Sequence, residues 1–150
     1  MYKKILVPLD GSKRAEKILP HVEEMAHRFH ASIVFLKVID PIKVFPTTQG
    51  YMPDIELLRE QQNLEIERSK TYLSGLEAEF SEKNITAKAI VDVAPIVSTI
   101  IEVAEQEGVD LIAMASHGRT GLSHVFYGSV AAGVLHRIDR PMLLIRADGQ

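Results

Sequence analysis

Residues 111–129 read Leu-Ile-Ala-Met-Ala-Ser-His-Gly-Arg-Thr-Gly-Leu-Ser-His-Val-Phe-Tyr-Gly-Ser. The first four residues form an apolar run typical of a buried strand, and the pattern of Val130 to Ile138 predicts a helix. Three glycines, several hydroxyl groups and a basic side chain lie between these two elements. A glycine-bearing turn from a strand into a helix brings backbone N–H groups close to a phosphate, and the helix start adds unpaired donors. We therefore predict that this connection binds the phosphates of a nucleotide.

The rest of the chain alternates between apolar runs and amphipathic segments. The first run, Ile5 to Leu9, is continuous and the second is broken only by Lys37, which indicates strands buried on both faces of a parallel sheet. The predicted strands are Ile5 to Leu9, Ile33 to Ile39, Thr86 to Val91, Leu111 to Met114 and Met142 to Ile145. Four strand–helix repeats followed by a last strand predict an α/β fold with right-handed crossovers.

Two segments between the second and third strands stand out. Residues 41–54 contain three prolines and a glycine without any periodicity, which predicts a variable loop. A long polar helix is predicted over Ile55 to Lys83. Its expected inward positions are Leu58, Ile66, Leu73, Leu76 and Phe80.

Length, net charge and cysteine content exclude several classes of protein for this chain. A length of 150 residues suits a single domain, 1–150. The net charge of −3 argues against nonspecific binding of nucleic acid, and no basic or long apolar run indicates a membrane partner. The absence of cysteine fits a cytoplasmic location. His27 and His30 have a chelating spacing but lack a third ligand, so we predict no metal site there.

The candidate site combines the glycine-bearing connection with the end of the first strand. In open α/β sheets, ligands bind beyond the carboxyl ends of the strands, where the strand order reverses. If the first and fourth strands are neighbours, Asp10 shares a crevice with the glycines. Asp10 could instead be only a turn residue, and Gly128 with Ser129 could be only a helix start capped by Ser129. The usual Walker, dinucleotide and nucleophile-elbow motifs are absent, and no catalytic residue is evident.

At these residues the sequence resembles the universal stress protein family. The resemblance covers nearly the whole chain, including Lys3 to Ser12, Val38 to Asp40, Gly108 to Ile112 and Arg140 to Ile145. Its most specific element is the family's ATP-binding pattern Gly-x2-Gly-x9-Gly-Ser/Thr, which reads here Ala115-x2-Gly118-x9-Gly128-Ser129. Alanine would be unfavourable at a positive φ but nearly neutral at an ordinary strand φ, so we predict that binding survives.

The resemblance implies a Rossmann-like three-layer sandwich whose five parallel strands have the order 3-2-1-4-5. It implies binding of ATP or another adenine nucleotide with Mg²⁺, and a homodimer formed through Met142, Leu143, Leu144 and Ile145. The implied nucleotide-binding residues are Pro8, Leu9, Asp10, Val38, Met114, Ala115, His117, Gly118, Arg119, Gly128, Ser129 and Val130.

The resemblance also implies a regulatory stress-response module that acts on an unknown protein partner. Two alternatives stay open: a slow Mg²⁺-dependent ATPase, and a structural dimer of the same family that binds no nucleotide. Phosphoryl transfer needs a positioned nucleophile and charge stabilisation, and no general base is evident. An enzymatic role is therefore not predicted.

Overall fold

A computed structural model describes residues 1–43, 50, 53–118 and 128–148 and shows one parallel sheet with the strand order β3-β2-β1-β4-β5. The strands are β1 (Lys4–Pro8), β2 (Ser32–Ile39), β3 (Ala87–Val93), β4 (Leu111–Gly118) and β5 (Met142–Asp148). The helices are α1 (Leu19–Phe29), α2 (Ile55–Glu82), α3 (Ile96–Gln106) and α4 (Ser129–Arg137). This order confirms the predicted fold. Most of the predicted variable loop 41–54 lies outside the described residues.

Side chains of the central strands alternate between two apolar layers. Ile5 and Val7 of β1 pack with residues of α1 and α2 on one face of the sheet. Leu6 packs with residues of α3 and α4 on the other face. Because both faces are covered, β1 is buried from Ile5 to Pro8, as its continuous apolar run predicted. The result is the expected three-layer sandwich.

The first amphipathic segment is divided into two pieces rather than one helix. A short 3₁₀ helix spans Ala15–Ile18, and α1 begins at Leu19 with Pro20 in its first turn. Proline has no N–H to donate, so it is tolerated at a helix start and cannot continue a preceding helix. The backbone N–H of Ala15 donates to Ser12 Oγ over 3.1 Å, so Ser12 caps this segment.

The long helix α2 packs on the sheet along only part of its length. Leu73, Leu76 and Phe80 are buried as predicted, whereas Leu58 and Ile66 are half-buried. A 28-residue helix is about 42 Å long, compared with about 26 Å for the eight-residue strand β2. The first half of α2 therefore extends past the sheet, which explains why these two inward positions are incompletely covered.

Candidate functional site

The strand order reverses between β1 and β4, which lie side by side with Ile5 paired to Leu111. A cavity of about 210 Å³ opens at this point, beyond the carboxyl ends of the strands. This is the position at which open α/β sheets bind ligands. The crevice expected from the sequence is therefore present.

Most of the predicted nucleotide-binding residues meet around this cavity. The lining includes Pro8, Leu9, Asp10, Val38, Met114, Ala115, Gly128, Ser129 and Val130. Gly118 is the last residue of β4, and His117 precedes it in that strand. The predicted role of the His117 side chain and that of Arg119 fall outside the described part of the chain.

Ala115 occupies the position at which the family pattern has its first glycine. It lies within β4, paired with Ile145 of β5, and is half-buried at the cavity wall. Among the described residues other than glycine, positive φ angles occur at His30 and Asn84 and not at Ala115. The alanine methyl group therefore causes no backbone strain, which is the condition under which we expected the substitution to be nearly neutral.

Gly128 begins α4 at the edge of the cavity. Its φ of 78° and ψ of 152° belong to a region that glycine alone adopts readily. Gly128 is buried at the N-cap position, and its carbonyl accepts the first helical hydrogen bond, from the N–H of Ala132 over 3.0 Å. Ser129 is the first residue of the helix, so the alternative that made Ser129 the cap is wrong.

The start of α4 supplies polar backbone groups to the cavity. The N–H groups of Ser129, Val130 and Ala131 have no partner within the helix, because a helix leaves its first N–H groups unpaired. All three residues line the cavity. These N–H groups and the positive end of the helix dipole favour an anionic ligand group.

Asp10 is at once a turn residue and a cavity residue. Its Oδ1 accepts the N–H of Ser12 over 2.8 Å, and Arg14 Nη2 donates to its Oδ2 over 3.4 Å. Burial acts to raise the pKa of Asp10, but the Ser12 hydrogen bonds and the Arg14 charge outweigh it and hold the pKa below its usual value. The site therefore contains an ionised carboxylate at neutral pH.

The cavity also contains residues that the sequence interpretation missed. These are Arg14, Ala15, Leu36, Ile96, Ile100, Ser116 and Ala131. Ile96 and Ile100 are four residues apart on one face of α3, and such periodicity shows that a face is buried without showing what it covers. Arg14 follows Asp10 by four residues, a spacing that brings side chains together in helical backbone, and this was the available signal.

The composition of the wall separates an apolar part from a polar part. Leu36, Val38, Ile100 and Met114 supply aliphatic side chains from β2, α3 and β4. Ser116 is buried, and its hydroxyl donates to the Ile145 carbonyl over 3.4 Å. The polar groups come from Asp10, Arg14 and the start of α4. An aromatic base fits the apolar part and a phosphate fits the polar part.

Two further features bear on the class of protein. In the portion of the chain that the structure describes, no three His, Cys, Asp or Glu residues are grouped so that they could hold a metal ion. Within the same residues, no helix has the length and apolarity needed to cross a membrane.

Comparison with known proteins identifies close relatives of this architecture. The model of the universal stress protein family matches residues 1–146. The universal stress protein MJ0577 of Methanocaldococcus jannaschii is 31% identical over 155 residues, covering 97% of this chain and 96% of its own. The solved structure of MJ0577 superimposes with a TM-score of 0.82 and covers 100% of this chain and 99% of its own.

Two more distant structures share the fold and contain adenine nucleotides. A universal stress protein in complex with cAMP has a TM-score of 0.63 and 18% identity, covering 97% of this chain and 98% of its own. A universal stress protein from Archaeoglobus fulgidus in complex with dAMP has a TM-score of 0.61 and 18% identity, covering 96% and 98%. At this identity the likeness establishes the fold alone.

Proposed function

Since this chain belongs to the universal stress protein family, we propose that it binds an adenine nucleotide, ATP in the first instance, between β1 and β4. The observation that carries the proposal is the start of α4. There, the buried Gly128 turns unpaired backbone N–H groups toward an apolar-walled cavity at the strand-order reversal. Binding would make the protein a regulatory module of the stress response rather than an enzyme.

The aliphatic wall is the proposed site of the adenine ring. Val38 and Leu36 extend from β2, and Ile96 and Ile100 extend from α3, so a flat apolar group would contact side chains from two elements. The cAMP and dAMP bound to the two distant family members share this adenine group. Support for ATP itself comes from the family pattern at Gly118 and Gly128-Ser129.

We propose that Asp10 binds the Mg²⁺ ion that accompanies ATP. Mg²⁺ is usually held by one or two carboxylates together with substrate phosphates and water, so a single carboxylate beside the phosphate region fits this chemistry. The lowered pKa of Asp10 keeps it in the ionised form that a cation requires. When bound, the metal would neutralise phosphate charge.

Titration calorimetry with ATP and Mg²⁺, AMP, cAMP and adenosine tests the proposal. We expect heat of binding for the nucleotides and a higher melting temperature at millimolar ATP. No heat and no thermal shift would overturn it and would favour the structural-dimer alternative. A phosphate-release assay over hours tests the slow ATPase alternative. It compares Asp10→Ala with Glu105→Ala, which removes an exposed carboxylate near the end of α3 that does not line the cavity.

The proposal extends to a homodimer formed through β5. This strand lies at the edge of the sheet, paired with β4 on one side, and Met142, Leu143, Leu144 and Ile145 are half-buried. An apolar edge strand is a natural surface for pairing with a second copy. Light scattering after gel filtration should give the mass of two chains, and a concentration-independent monomer would contradict the dimer. The cytoplasmic location and the protein partner stay predictions.

A further inference from the structure

Arg14 places a positively charged group in the wall of the cavity. Among the cavity residues that the structure describes, it is the one cation. Its side chain is only 21% exposed, although arginine on a protein surface is usually well solvated. The local backbone explains the position. Ser12 caps the segment, Arg14 adopts helical angles of −64° and −47°, and its side chain turns back toward Asp10.

Within the described residues, the guanidinium group of Arg14 has few hydrogen-bond partners. In the described part of the chain its hydrogen bonding consists of one contact, 3.4 Å from Nη2 to Asp10 Oδ2. A well-formed charged pair is shorter, at about 2.7–2.9 Å, and often bidentate. Since a guanidinium carries five N–H donors, most of them stay available for a ligand.

We propose that Arg14 binds a phosphate of the nucleotide and makes the site prefer nucleotides with more phosphate charge over adenosine. This inference rests on the proposed function of the same cavity. Two oxygens of a phosphate can accept the two parallel N–H donors of a planar guanidinium, and the long contact to Asp10 is weak enough to be exchanged. Releasing Asp10 also frees its Oδ2 for a cation. Arg14 is thus the residue that selects ligands by charge, and Asp10 is its partner when no nucleotide is bound.

The test measures the affinities of ATP, AMP and adenosine for the wild type and for Arg14→Gln. We expect Arg14→Gln to weaken ATP binding about 10- to 100-fold, as loss of a hydrogen bond to a charged group does, and AMP binding by less. Adenosine affinity should change by about twofold or less, since the substitution leaves the apolar wall intact. Equal losses for ATP and adenosine would overturn the inference.

Lys13→Gln is the matched control, because it removes the same charge one residue earlier from an exposed side chain that does not line the cavity. Screening should limit its effect on ATP to about twofold. If both variants weaken ATP equally, the effect comes from overall charge and the inference fails. Arg14→Lys retains the charge without the bidentate geometry and should give an intermediate ATP affinity, so it keeps the test decisive if Arg14→Gln does not fold.

Arg14 could also act only by neutralising Asp10, and a double-mutant cycle separates the two mechanisms. In the Asp10→Asn background, direct phosphate binding predicts that Arg14→Gln still weakens ATP binding, whereas neutralisation predicts no further loss. A wild type that binds neither ATP nor adenosine contradicts the proposed function. A wild type that binds ATP while Arg14→Gln does so equally well contradicts this inference alone.

Discussion

Gly128→Ala is the substitution that most directly tests the start of α4. Gly128 is buried, lines the cavity and holds the N-cap position with φ of 78° and ψ of 152°. An alanine Cβ is strongly disfavoured at these angles, so the chain must either keep the strain or rotate this peptide and move the helix start. Both responses disturb the N–H groups of Ser129, Val130 and Ala131. We therefore expect Gly128→Ala to lower stability and nucleotide affinity together.

The backbone angles set the size of the effect on stability. Residues held in glycine-specific regions cost about 1–3 kcal/mol. For a chain of this length, each kcal/mol lowers the melting temperature by about 2–4 °C, so the expected decrease is about 2–12 °C. Thermal unfolding followed by circular dichroism measures it, and calorimetry with ATP and Mg²⁺ measures binding on the same samples.

Gly75→Ala is the matched control within α2. A Cβ added at Gly75 meets no atom within 4 Å, and its backbone is helical. Alanine should therefore stabilise the protein by about 0.5–1 kcal/mol and leave nucleotide binding unchanged. A Gly128→Ala variant that melts like the wild type and binds ATP equally well would refute the reasoning, because neither strain nor the geometry of the α4 start would then matter.

Three other perturbations follow from individual contacts. The lowered pKa of Asp10 means that its contribution to stability is present above about pH 4 and is lost as the pH falls through the lowered value. Asp10→Asn should therefore lose less melting temperature than the wild type as the pH is lowered below about 4, and superimposable plots of melting temperature against pH would contradict this. Burial, then the 2.9 Å hydrogen bond and charge of Glu16, raise the pKa of Tyr72, so the stability from this tyrosine is lost above about pH 10. Tyr72→Phe should retain more of its stability there, measured as the pH midpoint of alkaline unfolding by circular dichroism. Arg140 Nη1 donates over 2.9 Å to the carbonyls of Ala104 and Val109, so Arg140→Gln should lower the free energy of unfolding by about 1–3 kcal/mol in urea, while an unchanged midpoint would show that water replaces these bonds.

The sequence by itself determined the elements and their type. The continuous apolar runs identified strands covered on both faces, and the structure confirms this for β1 and β2, where side chains enter both apolar layers. Such patterns can be recognised because buried residues recur every second position in a strand and every three to four positions in a helix. Their ends were less accurate: the third strand runs over Ala87–Val93 rather than Thr86 to Val91.

The composition of the site was only partly readable. Glycine at position 128 and aspartate at position 10 were recognisable because turns and helix starts impose local requirements on residue type. Whether alanine is tolerated at position 115 depended on its φ angle, which the sequence does not specify. That β1 and β4 are neighbours was implied by the family resemblance and could not be derived from the residues alone.

Only the tertiary structure decided which side chains share the cavity. Arg14 comes from the turn after β1, Leu36 from β2, Ile96 from α3 and Ser116 from β4, and no local pattern relates them. They meet because parallel strands joined by right-handed crossovers align their carboxyl ends at one edge of the sheet. Contacts between residues far apart in the chain depend on how the layers pack. The glycine-bearing connection could therefore be found in the sequence, whereas the sequence did not show that Arg14 shares a cavity with it.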